Sequence, residues 1–163
     1  MRKSLLTLLI LLLSFSGKAA HLVGGEISYQ CVGTNSNGNI YQIRLTVYRD
    51  CNSQGAPFDV QAPITVYGGA SQNLAITTIN VNRGAIVNIP AVVANPCLQT
   101  PPNVCTEKAT YTTNVTLAPS THGYTIVYQR CCRNQTINNV ANSGTWGNTY
   151  HITIPPQDSV CNS

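Results

Sequence analysis

The chain has 163 residues and a formal net charge of +4, from 9 Lys plus Arg against 5 Asp plus Glu. Arg2, Lys3 and Lys18 all fall within the first twenty residues, so the remaining 143 carry six basic and five acidic groups, about +1. That balance excludes nucleic acid or an anionic membrane as an electrostatic partner, and the length suffices for one domain with its own core.

Met1-Arg2-Lys3, the uncharged leucine-rich run Ser4 to Ser16, and the small residues around Gly17 and Ala19 follow the layout of a cleaved export signal. The apolar part is too short for a confident membrane span. Residues 1–20 therefore read as a signal peptide, with no membrane span left after cleavage, and the protein as secreted or displayed on a cell surface. All seven cysteines (31, 51, 97, 105, 131, 132 and 161) follow that segment. In an oxidising compartment they are expected as disulfides, and an odd number leaves one free or joined to something outside the chain.

No segment has sustained helical periodicity; short alternating or β-branched runs are separated by Gly, Asn and Pro clusters. Glu26 to Cys31 alternates, with Ile27, Tyr29 and Cys31 on one face. Thr34 to Asn39 is a hairpin loop, because Asn and Gly accept positive φ. Ile40 to Arg49 is the clearest strand, with Ile43, Leu45, Val47 and Cys51 expected in the core and Arg44, Thr46 and Tyr48 outside. Ile64 to Tyr67 is a short strand stopped by Gly68-Gly69. Leu74 to Val81 and Ala85 to Ile89 read as two strands with Asn82-Arg83-Gly84 as their turn. Pro90 to Asn103 is an irregular excursion. Lys108 to Leu117 and Tyr124 to Cys132 form a strand pair, and Asn148 to Ile154 is the last strand before Pro155-Pro156. The count and spacing predict an all-β, disulfide-stapled antiparallel two-sheet β-sandwich, Ig-like in architecture, with about 7–8 strands over residues 21–156. Residues 157–163 read as a linker or the start of a following module.

Cys97 and Cys105 bracket a proline-rich tip and are expected to bond to each other, contributing roughly 2–3 kcal/mol through loop closure. Adjacent strand residues point to opposite faces, so Cys131 and Cys132 are expected to take separate partners, with Cys31 and Cys51 as the candidates. A vicinal Cys131–Cys132 disulfide acting as a redox or ligand switch is the competing reading. Cys161 is then free or intermodular.

Other chemistry is thinly supported. His21, His122 and His151 lack metal-ligand spacing and there is no C-x-x-C, so no metal and no cofactor are expected. Asp50, Asn52 and Asp59 offer oxygen ligands for calcium, but turn chemistry explains them more simply. The carboxylates Glu26, Asp50, Asp59, Glu107 and Asp158 form no obvious acid/base pair, and no G-x-S-x-G occurs, so the chain is not expected to be an enzyme. Tyr48, Arg49, Tyr128, Arg130 and Trp146 are a candidate binding face, since Arg and aromatic residues favour interfaces. The plainer alternative is that they coat the solvent side of strands.

The chain resembles the N-terminal module of large surface proteins of Bacteroidetes-type bacteria, of the gliding-motility-associated, type IX-secreted kind. The resemblance lies in His21-Leu22-Val23-Gly24-Gly25-Glu26-Ile27-Ser28-Tyr29 and Leu45-Thr46-Val47-Tyr48-Arg49-Asp50-Cys51. It continues in Tyr128-Gln129-Arg130-Cys131-Cys132-Arg133-Asn134 and Asp158-Ser159-Val160-Cys161-Asn162-Ser163. It implies an exported, adhesin-like β module with no catalytic residues; the expected partners are downstream modules of the same protein or cell-surface glycans. A small carbohydrate-binding domain using the Tyr/Arg faces is the alternative.

Overall fold

The structure is a computed structural model that describes residues 22–53, 55–91, 97, 99, 102–134, 137–157 and 161. The expected signal segment, His21 and Asp158 lie outside the described residues. Seven strands follow in chain order: β1 (Leu22–Asn35), β2 (Gly38–Asp50), β3 (Gln61–Gly68), β4 (Leu74–Ile89), β5 (Thr106–Leu117), β6 (Tyr124–Cys131) and β7 (Gly147–Ile154). One 3₁₀ turn, Ser143–Thr145, precedes β7. All named strand pairs are antiparallel.

The strands join into one sheet in the order β1-β2-β5-β4-β3-β6-β7, curled like a half-barrel, where two separate sheets were expected. The connection runs through β4. Its first half pairs with β3, from Leu74 opposite Gly68 to Asn82 opposite Gln61. Its second half pairs with β5, from Arg83 opposite Tyr111 to Ile89 opposite Thr106. Asn82-Arg83-Gly84 is thus the irregularity at which one continuous strand changes partner, rather than a turn between two strands. The Arg83 N–H donates to Val60 O at 2.9 Å, and a Cβ on Gly84 would stand 3.0 Å from Thr110 O, so the backbone passes close to β5 there.

Alternation fixes the core. Tyr41, Ile43, Leu45 and Val47 of β2 are buried beside Val115, Tyr111 and Ala109 of β5, across matching register positions. Ala62, Ile64 and Val66 of β3 meet Ile126 and Tyr128 of β6 from the other side of the curl. Leu22, Phe58, Val81, Leu117 and Ile154 complete the cluster. Burying each such aliphatic chain stabilises the fold by roughly 1.5–3 kcal/mol. Ile43, Leu45 and Val47 are the core residues expected, while Cys51 is only half-buried. Thr46, expected outside, is also buried, and its hydroxyl lies 3.4 Å from that of Thr110.

The β1–β2 hairpin closes with two residues, Ser36 and Asn37, between the paired Asn35 and Gly38. The Asn37 N–H donates to Asn35 Oδ1 at 2.8 Å, the local bond that makes Asn a turn residue. Gly38 has φ +137°, and a Cβ there would lie 2.2 Å from Leu117 O, so only glycine fits.

Candidate functional site

The cysteine pairing differs from the favoured expectation throughout, and at Cys131–Cys132 it is the vicinal bond of the competing reading. Cys51 bonds Cys105, not Cys131 or Cys132. The reason is register: Asp50 of β2 faces Thr106 of β5, so the next pair outward is Cys51 with Cys105, where the Cys51 N–H also donates to Cys105 O at 3.2 Å. Cys97, the expected partner of Cys105, is exposed. Cys131 bonds Cys132, replacing the separate partners expected for them. Strand β6 stops at Cys131, so the pleat that would send the two side chains apart does not extend to Cys132. Cys161, expected free, bonds Cys31 across 130 residues of sequence.

That last bond belongs to a larger fastening. Asn39 is buried, and its Nδ2 donates to Gln157 Oε1 at 3.2 Å, while the Tyr41 hydroxyl donates to the same oxygen at 2.6 Å. The Cys161 N–H donates to Asn39 Oδ1 at 3.0 Å, and the Gln157 N–H donates to Ser120 O at 2.7 Å. Gln157 and Cys161, expected in a linker, are instead latched to the start of β2. Buried polar groups of this kind hold one geometry because each would be costly to leave unpaired. The sequence signal for this latch was thin: Tyr41 follows the core alternation, but neither Asn39 in its hairpin nor Gln157 after two prolines is distinctive.

A second cluster centres on Asp59. Its backbone O accepts from the Tyr111 hydroxyl at 2.6 Å, and its carboxylate Oδ2 accepts from the Tyr128 hydroxyl at 2.7 Å. Arg130 lies 3.3 Å from Asp59 Oδ1 and donates to Pro57 O at 2.6 Å. Burial, with Asp59 adding to it, pushes the Tyr111 phenol up to about 12. Burial first, then the hydrogen bond to Asp59, raises Tyr128 further still. Both phenols stay protonated and donating, which suits a packed cross-tie and supplies neither nucleophile nor base near neutral pH.

The candidate binding face therefore does not assemble. Tyr128 is fully buried and Arg130 is about nine-tenths buried, each committed to the segment over the core. Arg49 is paired to Glu107 at 2.6 Å and donates to Ser53 O and Gly55 O, holding the loop after β2. Tyr48 lies on the outer face and donates to Glu26 at 3.2 Å. Trp146 alone is widely open, 59% exposed, with its indole N–H donating to Ala141 O. It sits next to Gly147, which faces Cys131 across the β6–β7 pair, beside a shallow depression lined by Gln129, Arg130, Asn148 and Thr149.

Asp50 accepts from the Asn52 N–H at 2.9 Å and the Asn52 amide donates to Asn103 O, so both are engaged in turn bonds, while Asp59 is taken by Tyr128 and Arg130. Among the described residues no group of three His, Cys, Asp or Glu side chains is placed to hold a metal ion, and no helix is long and apolar enough to cross a membrane. His122 and His151 are exposed. No protein family, curated protein or solved structure was found to match the chain.

Proposed function

We propose that this chain is a non-enzymatic, exported cell-surface module with a structural or adhesive role, the first domain of a longer adhesin-like protein of the gliding-motility-associated kind its motifs resemble. The observation that carries the reading is where the chain enters and leaves. Leu22 opens β1 opposite Arg49, whereas Cys161 is bonded to Cys31, nine residues further along the same strand. At roughly 3.3 Å per residue the two points stand about 30 Å apart along the strand. A spacer strung between neighbours needs that arrangement. The loop-closing disulfides Cys31–Cys161 and Cys51–Cys105, with cross-ties made from polar groups, suit a domain that must persist outside the cell. Within this reading the domain is an Ig-like sandwich whose two sheets are merged through β4.

The test is biotinylation of intact cells of the producing organism with a membrane-impermeant reagent, alongside thiol counting on the recovered protein. Surface labelling with the cysteines oxidised, and weakened attachment when the gene is deleted, is the expected result. Recovery from the cytoplasm with reduced thiols would overturn the proposal.

One observation favours the glycan-binding alternative: the open indole of Trp146 beside Asn148 and Thr149. Aromatic faces bind sugars by stacking while nearby amides and hydroxyls fix orientation. Binding to immobilised polysaccharides that is abolished by Trp146→Ala would support it, and equal binding by both proteins would remove it.

A further inference from the structure

We propose that the Cys31–Cys161 disulfide makes β1 the tension-carrying link of this module, so that a pull on its two ends bypasses the rest of the fold. The inference rests on reading the chain as a module strung between neighbours. A force entering at Leu22 runs along the β1 backbone to Cys31, crosses the sulfur–sulfur bond to Cys161 and leaves. Residues 32–160 lie inside the covalent loop closed by that bond, whose ends are separated by 130 residues of sequence. The disulfides Cys51–Cys105 and Cys131–Cys132 also lie inside it, off the path.

The loaded strand has almost nothing to give. A β-strand already rises about 3.3 Å per residue against a limit near 3.6 Å, so nine residues hold only about 3 Å of slack. Force enters and leaves through the same strand, so β1 is not drawn past β2, and the register from Leu22 opposite Arg49 to Cys31 opposite Tyr41 is not sheared. The latch on the exit side adds to this: the Cys161 N–H on Asn39 and the Gln157 amide on Tyr41 and Asn39 seat the tail at the start of β2. Without the disulfide the same pull must strip the tail and β1 from β2 and then unravel everything between them.

Single-molecule pulling with one handle domain ahead of residue 21 and another behind residue 163 distinguishes the two cases. The oxidised protein should lengthen by under about 10 Å and show no unfolding step of its own before the handles unfold. In the Cys31→Ser/Cys161→Ser variant, the 130-residue separation less the 54 residues still closed by Cys51–Cys105 leaves 76 to be released. That corresponds to a step of about 250–270 Å at 3.3–3.6 Å per residue. Should the variant not fold, a thiol reductant added to the wild-type protein under load serves instead: a step of about 250–270 Å on opening Cys31–Cys161, reaching about 430–470 Å in total once Cys51–Cys105 also opens, should appear only after reduction. A step longer than about 100 Å in the oxidised protein would overturn the inference. That outcome leaves the surface-module reading standing, whereas a cytoplasmic location found by surface labelling would remove the biological role without altering the pulling trace.

Discussion

Removing the three disulfides one at a time should rank them by the chain each closes, and the ranking is worked from the connectivity alone. With Cys51–Cys105 intact, opening Cys31–Cys161 frees a loop of 76 residues, the 130-residue separation less the nested 54. On the chain-entropy model that loss costs about 4.5 kcal/mol. Opening Cys51–Cys105 costs about 4 kcal/mol for its 54-residue loop. Cys131–Cys132 joins neighbours and closes no loop worth counting, so its removal should cost under about 1 kcal/mol. Domains of this size are stable by about 5–15 kcal/mol, so losing the first bond removes about a third or more of the total. The assay is urea unfolding of Cys31→Ser/Cys161→Ser, Cys51→Ser/Cys105→Ser and Cys131→Ser/Cys132→Ser, followed by far-ultraviolet circular dichroism. Trp146 fluorescence is the wrong probe, because the indole is already 59% exposed in the folded state. Equal destabilisation of the vicinal and the Cys31–Cys161 variants, or a cost under about 1 kcal/mol for the latter, would refute the reasoning.

Three further outcomes follow from the packing. The Tyr111 phenol is raised in the folded state to about 12 from the ordinary 10, so its contribution is fully present below pH 10 and is lost as pH climbs from 10 towards 12. Alkaline titration should therefore cost about 2–3 kcal/mol from this group, and Tyr111→Phe should flatten that part of the profile; an unchanged slope would count against it. Gly38→Ala drives a Cβ to 2.2 Å from Leu117 O at φ +137° and should cost about 3 kcal/mol or more. Gly24→Ala, with nothing within 4 Å, should stay within about 0.5 kcal/mol of wild type, both variants being read by the same urea unfolding. Asp59→Asn removes the charged partner of Arg130 and weakens the acceptor for the Tyr128 hydroxyl, for a loss of about 1–3 kcal/mol by denaturant titration; a variant as stable as wild type would mean the cluster is not a cross-tie.

The strands were legible because alternation is a local signal that survives folding. In β2, Ile43, Leu45 and Val47 are spaced two apart, and that spacing alone places them together on the buried face. The candidate face failed for a related reason: Tyr128 and Arg130 share the inward parity of β6 with Ile126, and amphipathic side chains at such positions turn inward when a partner such as Asp59 waits there. Residue type suggested an interface; the partner, distant in sequence, decided otherwise. Trp146 stayed open because it lies on a loop outside the alternation.

The sequence alone specified an all-β domain, the inward parity of its best strand, a hairpin loop within Thr34 to Asn39, and cysteines disposed for oxidation. Pairing was left to the tertiary structure. Which strand lies beside which, where β4 changes partner, and that Cys51 meets Cys105 and Cys31 meets Cys161 are set by pairing between segments apart in sequence, by as much as 54 and 130 residues for those two disulfides. No local pattern encodes those meetings, because side-chain alternation has the same period whatever lies on the neighbouring strand.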